Sequence, residues 1–466
     1  MAPIDIGSRL ELFVDEFLIE RMDRLSLQLH PPCRAEKVLE FNAPWEGLES
    51  AYVTIFKDGD IYRMYYRGRS STSPECTCYA ESSDGIQWNR PPLGIHEFKG
   101  HFDPASGEKL DIHEEFRGSK ENNIIWKNGE SKPPAQCHNF TPFLDANPLC
   151  PDGQRYKALA GAPMLALTSA DGIRWAKMSA EPVITQGRFD SQNVSFWDVE
   201  RGCYVVYQRV TLNDEVRGIA RSTSEDFISW SEPQPINLGE SPVEHLYTNA
   251  TTPYFRAPHI LLSFPKRFFP ERKAVREHEQ DGVSDGVMMT SRDGICFERQ
   301  FMEAFLRPGR ERQNWTQRSN MIACGVVPTA PDEISLYFSQ HYSHPTAHLK
   351  RGVLRTDGMA SVHAAYEAGE LVTKPLLFEG DHLVINYETS GAGSLRVEVQ
   401  DWGGNPIEGY TLADAADIYG DEIERVVSWN NKADIGQLAG RPARLRFVMN
   451  DAELYSMRFA PKMGMS

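Results

Sequence analysis

One short phrase recurs along the chain and restricts what it can fold into. Ser169-Ala170-Asp171-Gly172-Ile173-Arg174-Trp175 is preceded by Ser83-Asp84-Gly85-Ile86-Gln87-Trp88. It is followed by Ser224-Glu225-Asp226-Phe227-Ile228-Ser229-Trp230 and Ser291-Arg292-Asp293-Gly294-Ile295-Cys296-Phe297, with a worn fifth copy at Arg355-Thr356-Asp357-Gly358. Counted from Asp to Asp, the gaps are 87, 55, 67 and 64 residues. These are longer than a solenoid repeat and suit a four-stranded propeller blade with long loops. Asp-Gly is a strong hairpin signal, because both central positions of the favoured turn need positive φ. The aromatic residue three positions beyond each Gly packs back between sheets, so the phrase by itself is structural.

Strand patterns around the phrases follow one grammar of strand, turn, strand, loop, strand, turn, strand. Examples are Ala51-Tyr52-Val53-Thr54-Ile55-Phe56 with Tyr62-Arg63-Met64-Tyr65-Tyr66-Arg67, and Val194-Ser195-Phe196-Trp197 with Tyr204-Val205-Val206-Tyr207. After Asp357-Gly358 the grammar changes to alternating strands such as Leu395-Arg396-Val397-Glu398-Val399, as in an antiparallel sandwich. The expectation is an all-β chain in two domains. Residues 1–362 form a five-bladed β-propeller, with 1–45 as accessory strands that close it or pack on the second domain. Residues 363–466 form a C-terminal antiparallel β-sandwich that braces it.

A net charge of −16 over 466 residues argues against a nucleic-acid partner, and no run of 18 apolar residues marks a membrane span. The start, Met1-Ala2-Pro3-Ile4-Asp5, lacks the segments of a secretory signal. That reads as cytoplasmic, or as periplasmic or secreted if a signal was removed. The eight cysteines read as free thiols, mostly buried. Neither a cofactor nor a metal ion is demanded, although a propeller channel could hold a structural ion. Oligomeric state leaves no signature.

In a propeller, the starts of the innermost strands and the ends of the second strands ring one mouth of the central channel. Reading those positions off gives Glu49 and Arg67 in blade one; His138, Asn139 and Asp145 in blade two; and Asp190, Gln192 and Arg209 in blade three. Blade four supplies Glu244, His245, Tyr247 and Arg267, and blade five Arg318, Asn320 and His341. Asp145 reads more naturally as a turn residue before Ala146-Asn147-Pro148. Unpaired charges out of water cost several kcal/mol each, so this ring is poor core material. It suits a hydrolase acting on an oligosaccharide or polysaccharide fragment, in which one carboxyl protonates the leaving oxygen and another attacks the anomeric carbon or activates water. Glu49, Asp190 and Glu244 are the carboxylate candidates. Arg67, His138, Asn139, Gln192, Arg209, His245, Tyr247, Arg267, Arg318 and His341 are candidate contacts to hydroxyls, carboxylates or sulfates.

The repeated phrases, the pattern Thr54-Ile55-Phe56-Lys57-Asp58-Gly59-Asp60-Ile61-Tyr62-Arg63-Met64-Tyr65-Tyr66 and the trailing sandwich resemble the five-bladed propeller glycoside hydrolases of the invertase, levanase, arabinanase and xylosidase group. The resemblance covers nearly the whole chain and implies glycosidase activity, exo-acting on an anionic or substituted sugar. Those families place an Asp in blade one, an Asp in blade two and a Glu acid in blade three. The nearest residues here are Glu49, Asn139 or Asp145, and Asp190, while the Asn-Asp-Pro and Arg-Asp-Pro motifs are missing. Two other readings stay open. One is a polysaccharide lyase with His245 or Tyr247 as base and an Arg neutralising a uronate, and the other a glycan-binding propeller without catalysis. A sialidase-like reading would use Tyr247 near Glu244.

Overall fold

The computed structural model describes residues 2–70, 72–103, 109–110, 114–128, 135–213 and 215–461. The chain is all-β; among the described residues the helical segments are four three-residue 3-10 turns. It divides into two compact units. One comprises residues 32–330 and 334–353, and the other residues 1–31, 331–333 and 354–466. The first 31 residues belong with the C-terminal unit, the second of the two placements expected for them, and the contact division falls at 353/354.

The larger unit is a ring of sheets of propeller type. The first sheet runs outward through Ala51–Asp58, Ile61–Ser70, Ser73–Ser82 and Ile124–Lys127. Thr141–Leu144, Tyr156–Ala160, Leu165–Ser169 and Ala176–Lys177 make the second. Val194–Asp198, Cys203–Leu212, Val216–Ser224 and Gln234–Pro235 make the third. In the fourth, Thr252–Tyr254, Ala257–Ser263 and Met289–Ser291 are accompanied by a small sheet of His245–Leu246, Lys266–Phe269 and Val283–Gly286. The fifth is Met321–Ile322, Glu333–Gln340, His348–Arg355 and, on its outer edge, Cys33–Glu40 from near the N-terminus. Middle strands such as Tyr204-Val205-Val206-Tyr207 are buried on both faces, because each sheet stacks against two neighbours. Residues of all five innermost strands or their ends, Thr54, Thr141, Val194, Thr251 and Cys324 among them, line an apolar axial channel of about 330 Å³.

The repeated phrase proves to be an inter-sheet fastener. In the four copies the hydroxyl of Ser82, Ser169, Ser224 or Ser291 accepts the N–H three residues on at 2.9 Å. The Asp Oδ1 accepts two further N–H groups, as Asp171 does from Ile173 and Arg174 at 2.8 and 2.7 Å. Trp88, Trp175 and Trp230 donate their indole N–H to the carbonyl of the residue after the Asp, at 3.1, 3.1 and 3.2 Å. Tyr65, Tyr207 and Tyr337 reach from adjacent sheets to donate to the carbonyls of Gly172, Gly294 and Gly85 at 3.0, 2.7 and 2.6 Å. Only the position after the Asp is left-handed, at φ 74°, 75° and 75° for the three glycines and 67° for Phe227. The expected turn with two positive φ values is therefore not the one formed. Phe227 takes the strained position while its ring packs 5.6 Å from Phe143 and 5.1 Å from Tyr204.

The worn fifth copy is no fastener. Asp357 lies in the other unit, left-handed at φ 63°, and accepts a hydrogen bond from Ser456 Oγ at 2.8 Å. The fifth sheet needs no such phrase, because its outer strand comes from Cys33–Glu40.

In the C-terminal unit, eight strands form one antiparallel sheet around the long strands His382–Gln400 and Arg444–Ala460. Glu11–Leu12, Ile19–Asp23 and Leu25–Leu29 pair into it, and Ile4–Gly7 pairs in parallel with Leu376–Phe378. Leu445, Phe447 and Met449 are buried while Arg444, Arg446 and Val448 are less so, the alternation of a half-buried strand. Trp429, fully buried, donates its indole N–H to Val397 O at 2.7 Å. All eight cysteines are free. Cys76, Cys78 and Cys137 are buried, Cys33 and Cys296 exposed and the other three intermediate, so burial is less general than expected.

Candidate functional site

At the starts of the innermost strands the chain turns through left-handed residues: Tyr52 (φ 54°), Asn139 (φ 50°), Ala250 (φ 45°) and Asn320 (φ 62°). Buried amides brace these kinks. Asn139 Nδ2 donates to Ser191 O at 2.6 Å and Asn320 Nδ2 to Ser284 O at 3.0 Å, while Gln192 Nε2 donates to Val53 O at 2.9 Å. Asn139 and Gln192, expected to touch substrate, are thus cross-braces between sheets, with 2% and 0% of their surface exposed. Asn320 has the same role.

Three buried tyrosines form the floor of the mouth. Tyr52 and Tyr247 bring their hydroxyls within 3.5 Å, and Tyr342 packs in the same small cluster. Cations cover the three rings. The Arg67 guanidinium lies 4.4 Å from the centre of Tyr52 and donates to Tyr342 Oη at 3.1 Å and to Glu49 O at 2.9 Å. Arg318 donates to the same Tyr342 oxygen at 3.2 Å. Lys266, Arg217 and Arg209 stand 4.0, 4.8 and 5.3 Å from the centre of Tyr247. Burial, with Arg318 and Arg217 close by, holds the Lys266 ammonium well below the ordinary lysine range.

The carboxylates are distributed unevenly around this cation cluster. Asp190 is 63% exposed and lies 3.5 Å from Arg209 and 3.8 Å from His138 Nε2. Behind it, His138 Nδ1 donates to Glu75 at 3.0 Å, while Asn139 Nδ2 meets Nε2 at 3.1 Å. A carboxylate can only accept, so the proton of a neutral His138 sits on Nδ1 and its other nitrogen receives the Asn139 amide. Burial works to raise the Glu75 carboxyl, but the bond from His138 and the charges of Arg67 and Arg69 hold it below its usual range. Glu49, half-buried, is 3.0 Å from Arg69 Nε and lines a cleft of about 740 Å³. Glu277, His278, Arg312 and His344 lie among the other walls of that cleft.

Other expected site residues lie elsewhere. Lys266 and Arg267 are consecutive in one strand and so face opposite ways. With Lys266 turned to Tyr247, Arg267 pairs at 2.8 Å with Asp285 and at 3.5 Å with Glu244, which also holds the buried Arg299. Glu244 is therefore a structural ion-pair partner, not a mouth carboxylate. His245 Nδ1 accepts the Arg217 backbone N–H at 3.2 Å, which uses the lone pair a base would need. His341 binds Glu311 at 2.6 Å and Thr346 at 2.8 Å. Asp145, buried at the far end of its strand, accepts from Tyr204 Oη at 2.8 Å and pairs with Lys157. The sequence pattern does not single out Glu75, Arg217, Lys266, Tyr52 or Tyr342. Glu75 and Arg217 open third strands, Ser73–Ser82 and Val216–Ser224, which return to the same mouth as the ends of the second strands. Among the described residues, no three His, Cys, Asp or Glu side chains are grouped to hold a metal ion.

No protein-family model matches the chain, and no curated protein matches its sequence. Many of the solved structures that it matches are glycoside hydrolases. One glycoside hydrolase shares 10% identity at a TM-score of 0.46, covering 70% of this chain and 92% of its own. An N-acetylgalactosamine deacetylase from F. plautii, in complex with blood group B trisaccharide, shares 12% at 0.44, covering 72% and 96%. A GH130-family glycoside hydrolase that targets beta-1,2 mannosidic linkages in Candida mannan shares 13% at 0.40, covering 75% and 96%.

Proposed function

We propose that this protein is a glycoside hydrolase in which Asp190 and Glu49 act as the carboxylate pair. The observation that supports the reading is that Asp190, from the third sheet, faces the mouth cation Arg209 and Glu49, from the first, pairs with Arg69 beside a large cleft, while Glu244 is withdrawn into its own ion pairs. Glu49 borders the 740 Å³ cleft, which is large enough for sugar residues. It protonates the oxygen of the leaving sugar held there. Asp190, the more exposed of the two, works at the anomeric carbon, as nucleophile or by directing water. Arg209, 3.5 Å away, positions Asp190.

Asp190→Asn and Glu49→Gln should each lower hydrolysis of a susceptible oligosaccharide by about 10²–10⁴-fold while leaving oligosaccharide binding largely intact. Release of reducing ends from a panel of oligosaccharides is the assay. Undiminished turnover in both variants would remove the pair. The crowd of cations around Tyr247 also favours a second reading, a lyase with that phenol as base; a product absorbing in the near ultraviolet, instead of a saturated sugar, would select it.

A further inference from the structure

The mouth carries far more positive charge than a neutral sugar requires. Arg67, Arg209, Arg217, Lys266 and Arg318 converge on three touching tyrosines, and among the described residues Asp190 is the one carboxylate within 4 Å of any of them. Buried donors there are unsatisfied: the Nε atoms of Arg67 and Arg209 have no hydrogen-bond partner among the described residues. For the buried members, Arg67 and Lys266, a bound anion would offset the cost of holding like charges away from water.

The directions of approach narrow the anion. Arg67 comes from the first sheet, Arg209 and Arg217 from the third, Lys266 from the small sheet of the fourth and Arg318 from the segment leading into the fifth. A carboxylate is planar, has two oxygens and is satisfied by one fork of a guanidinium. Donors arriving from several sides suit a group with three outward oxygens.

We infer that the mouth is a seat for a tetrahedral oxyanion ester, a sulfate or phosphate substituent on the bound sugar, contacted by Arg209, Arg217 and Arg318 with Arg67 and Lys266 behind them. This deepens the glycosidase reading and rests on it for the sugar, though not for the anion. The three contacting guanidiniums are half-buried, open enough to meet a ligand, whereas Arg67 and Lys266 are 4% and 1% exposed and act through the field.

The test is calorimetric titration of the whole protein with sodium sulfate, sodium phosphate and sodium acetate at equal ionic strength. Sulfate or phosphate should bind one to one, with acetate about tenfold weaker, and the tighter of the two oxyanions identifies the ester. Arg217→Gln and Arg318→Gln should each weaken the oxyanion about tenfold, the worth of one charge-assisted hydrogen bond. Arg272→Gln, an exposed cation outside the cluster, should change nothing. Circular dichroism melts identify any variant that fails to fold, and the other then decides. The seat is overturned if neither oxyanion binds, if acetate matches them, or if the cluster variants bind like the parent. Oxyanion binding without cleavage of any sulfated or phosphorylated oligosaccharide would end the glycosidase reading and spare the seat. Cleavage that depends on Asp190, without oxyanion binding, would do the reverse.

Discussion

Gly172 shows how much depends on single residues in the fasteners. At φ +75° its missing side chain leaves room for the Tyr65 hydroxyl, which an added Cβ would meet at 2.7 Å. Gly172→Ala should therefore lose about 2–3 kcal/mol, from left-handed strain and a displaced inter-sheet hydrogen bond. Guanidinium unfolding would register this as an earlier midpoint, and an unchanged midpoint would mean that the adjacent sheet yields without cost. At the same scale, the sequence reading selected Arg267 where the structure uses Lys266. Alternation along a strand was readable, but its phase was not. Ala257–Ser263 and Lys266–Phe269 are separate strands of different sheets, and Phe264-Pro265 between them resets which residues face the axis. Tyr52 and Tyr342 were equally hard to see, because a buried tyrosine in a strand pattern looks the same whether it fills a core or floors a mouth.

The fastener turns, taken as elements, make the ring sensitive to acid. In Asp226, burial works to raise the carboxyl, yet the N–H groups of Ser229 and Ile228 outweigh it and hold the group down to about 2. Asp84, Asp171 and Asp293 are lowered for the same reason. A carboxyl whose folded value lies below its unfolded value, about 3.9, contributes stability fully above that value and loses it as the pH falls toward the folded one. Stability should therefore drop between about pH 4 and pH 2, and Asp226→Asn should flatten the drop while lowering stability at neutral pH. Urea titrations across that range would test it; a parallel slope in the variant would mean that other carboxyls govern acid unfolding. The turns were legible in the sequence as turns. Their role between sheets was not, since Tyr65, Tyr207 and Tyr337 are remote in sequence from the carbonyls they reach.

For the molecule as a whole, net charge and site charge oppose each other. The chain carries −16, yet five cations gather at one mouth, so an anionic ligand is repelled at long range and drawn in close by. Near the mouth the interaction is attractive and screened by salt over about 10 Å at 0.1 M. Oxyanion affinity should fall several-fold as sodium chloride rises from about 20 to about 200 mM, whereas an affinity that rises with salt would mean that the overall negative charge dominates. At this scale much of the architecture was legible, because the spacing of four phrases implies sheets of similar size. The fifth sheet escaped that logic: its outer strand lies before the first phrase.

That displaced strand also dictates an order of events during synthesis. Cys33–Glu40 leaves the ribosome before the first four sheets, but its partner His348–Arg355 emerges only after them. Until then the early segment waits as an open edge, and the charges of Arg34, Glu36, Lys37 and Glu40 suit it to waiting in water without pairing with another nascent chain. The ring is therefore sealed after its last strand has been made, by its first.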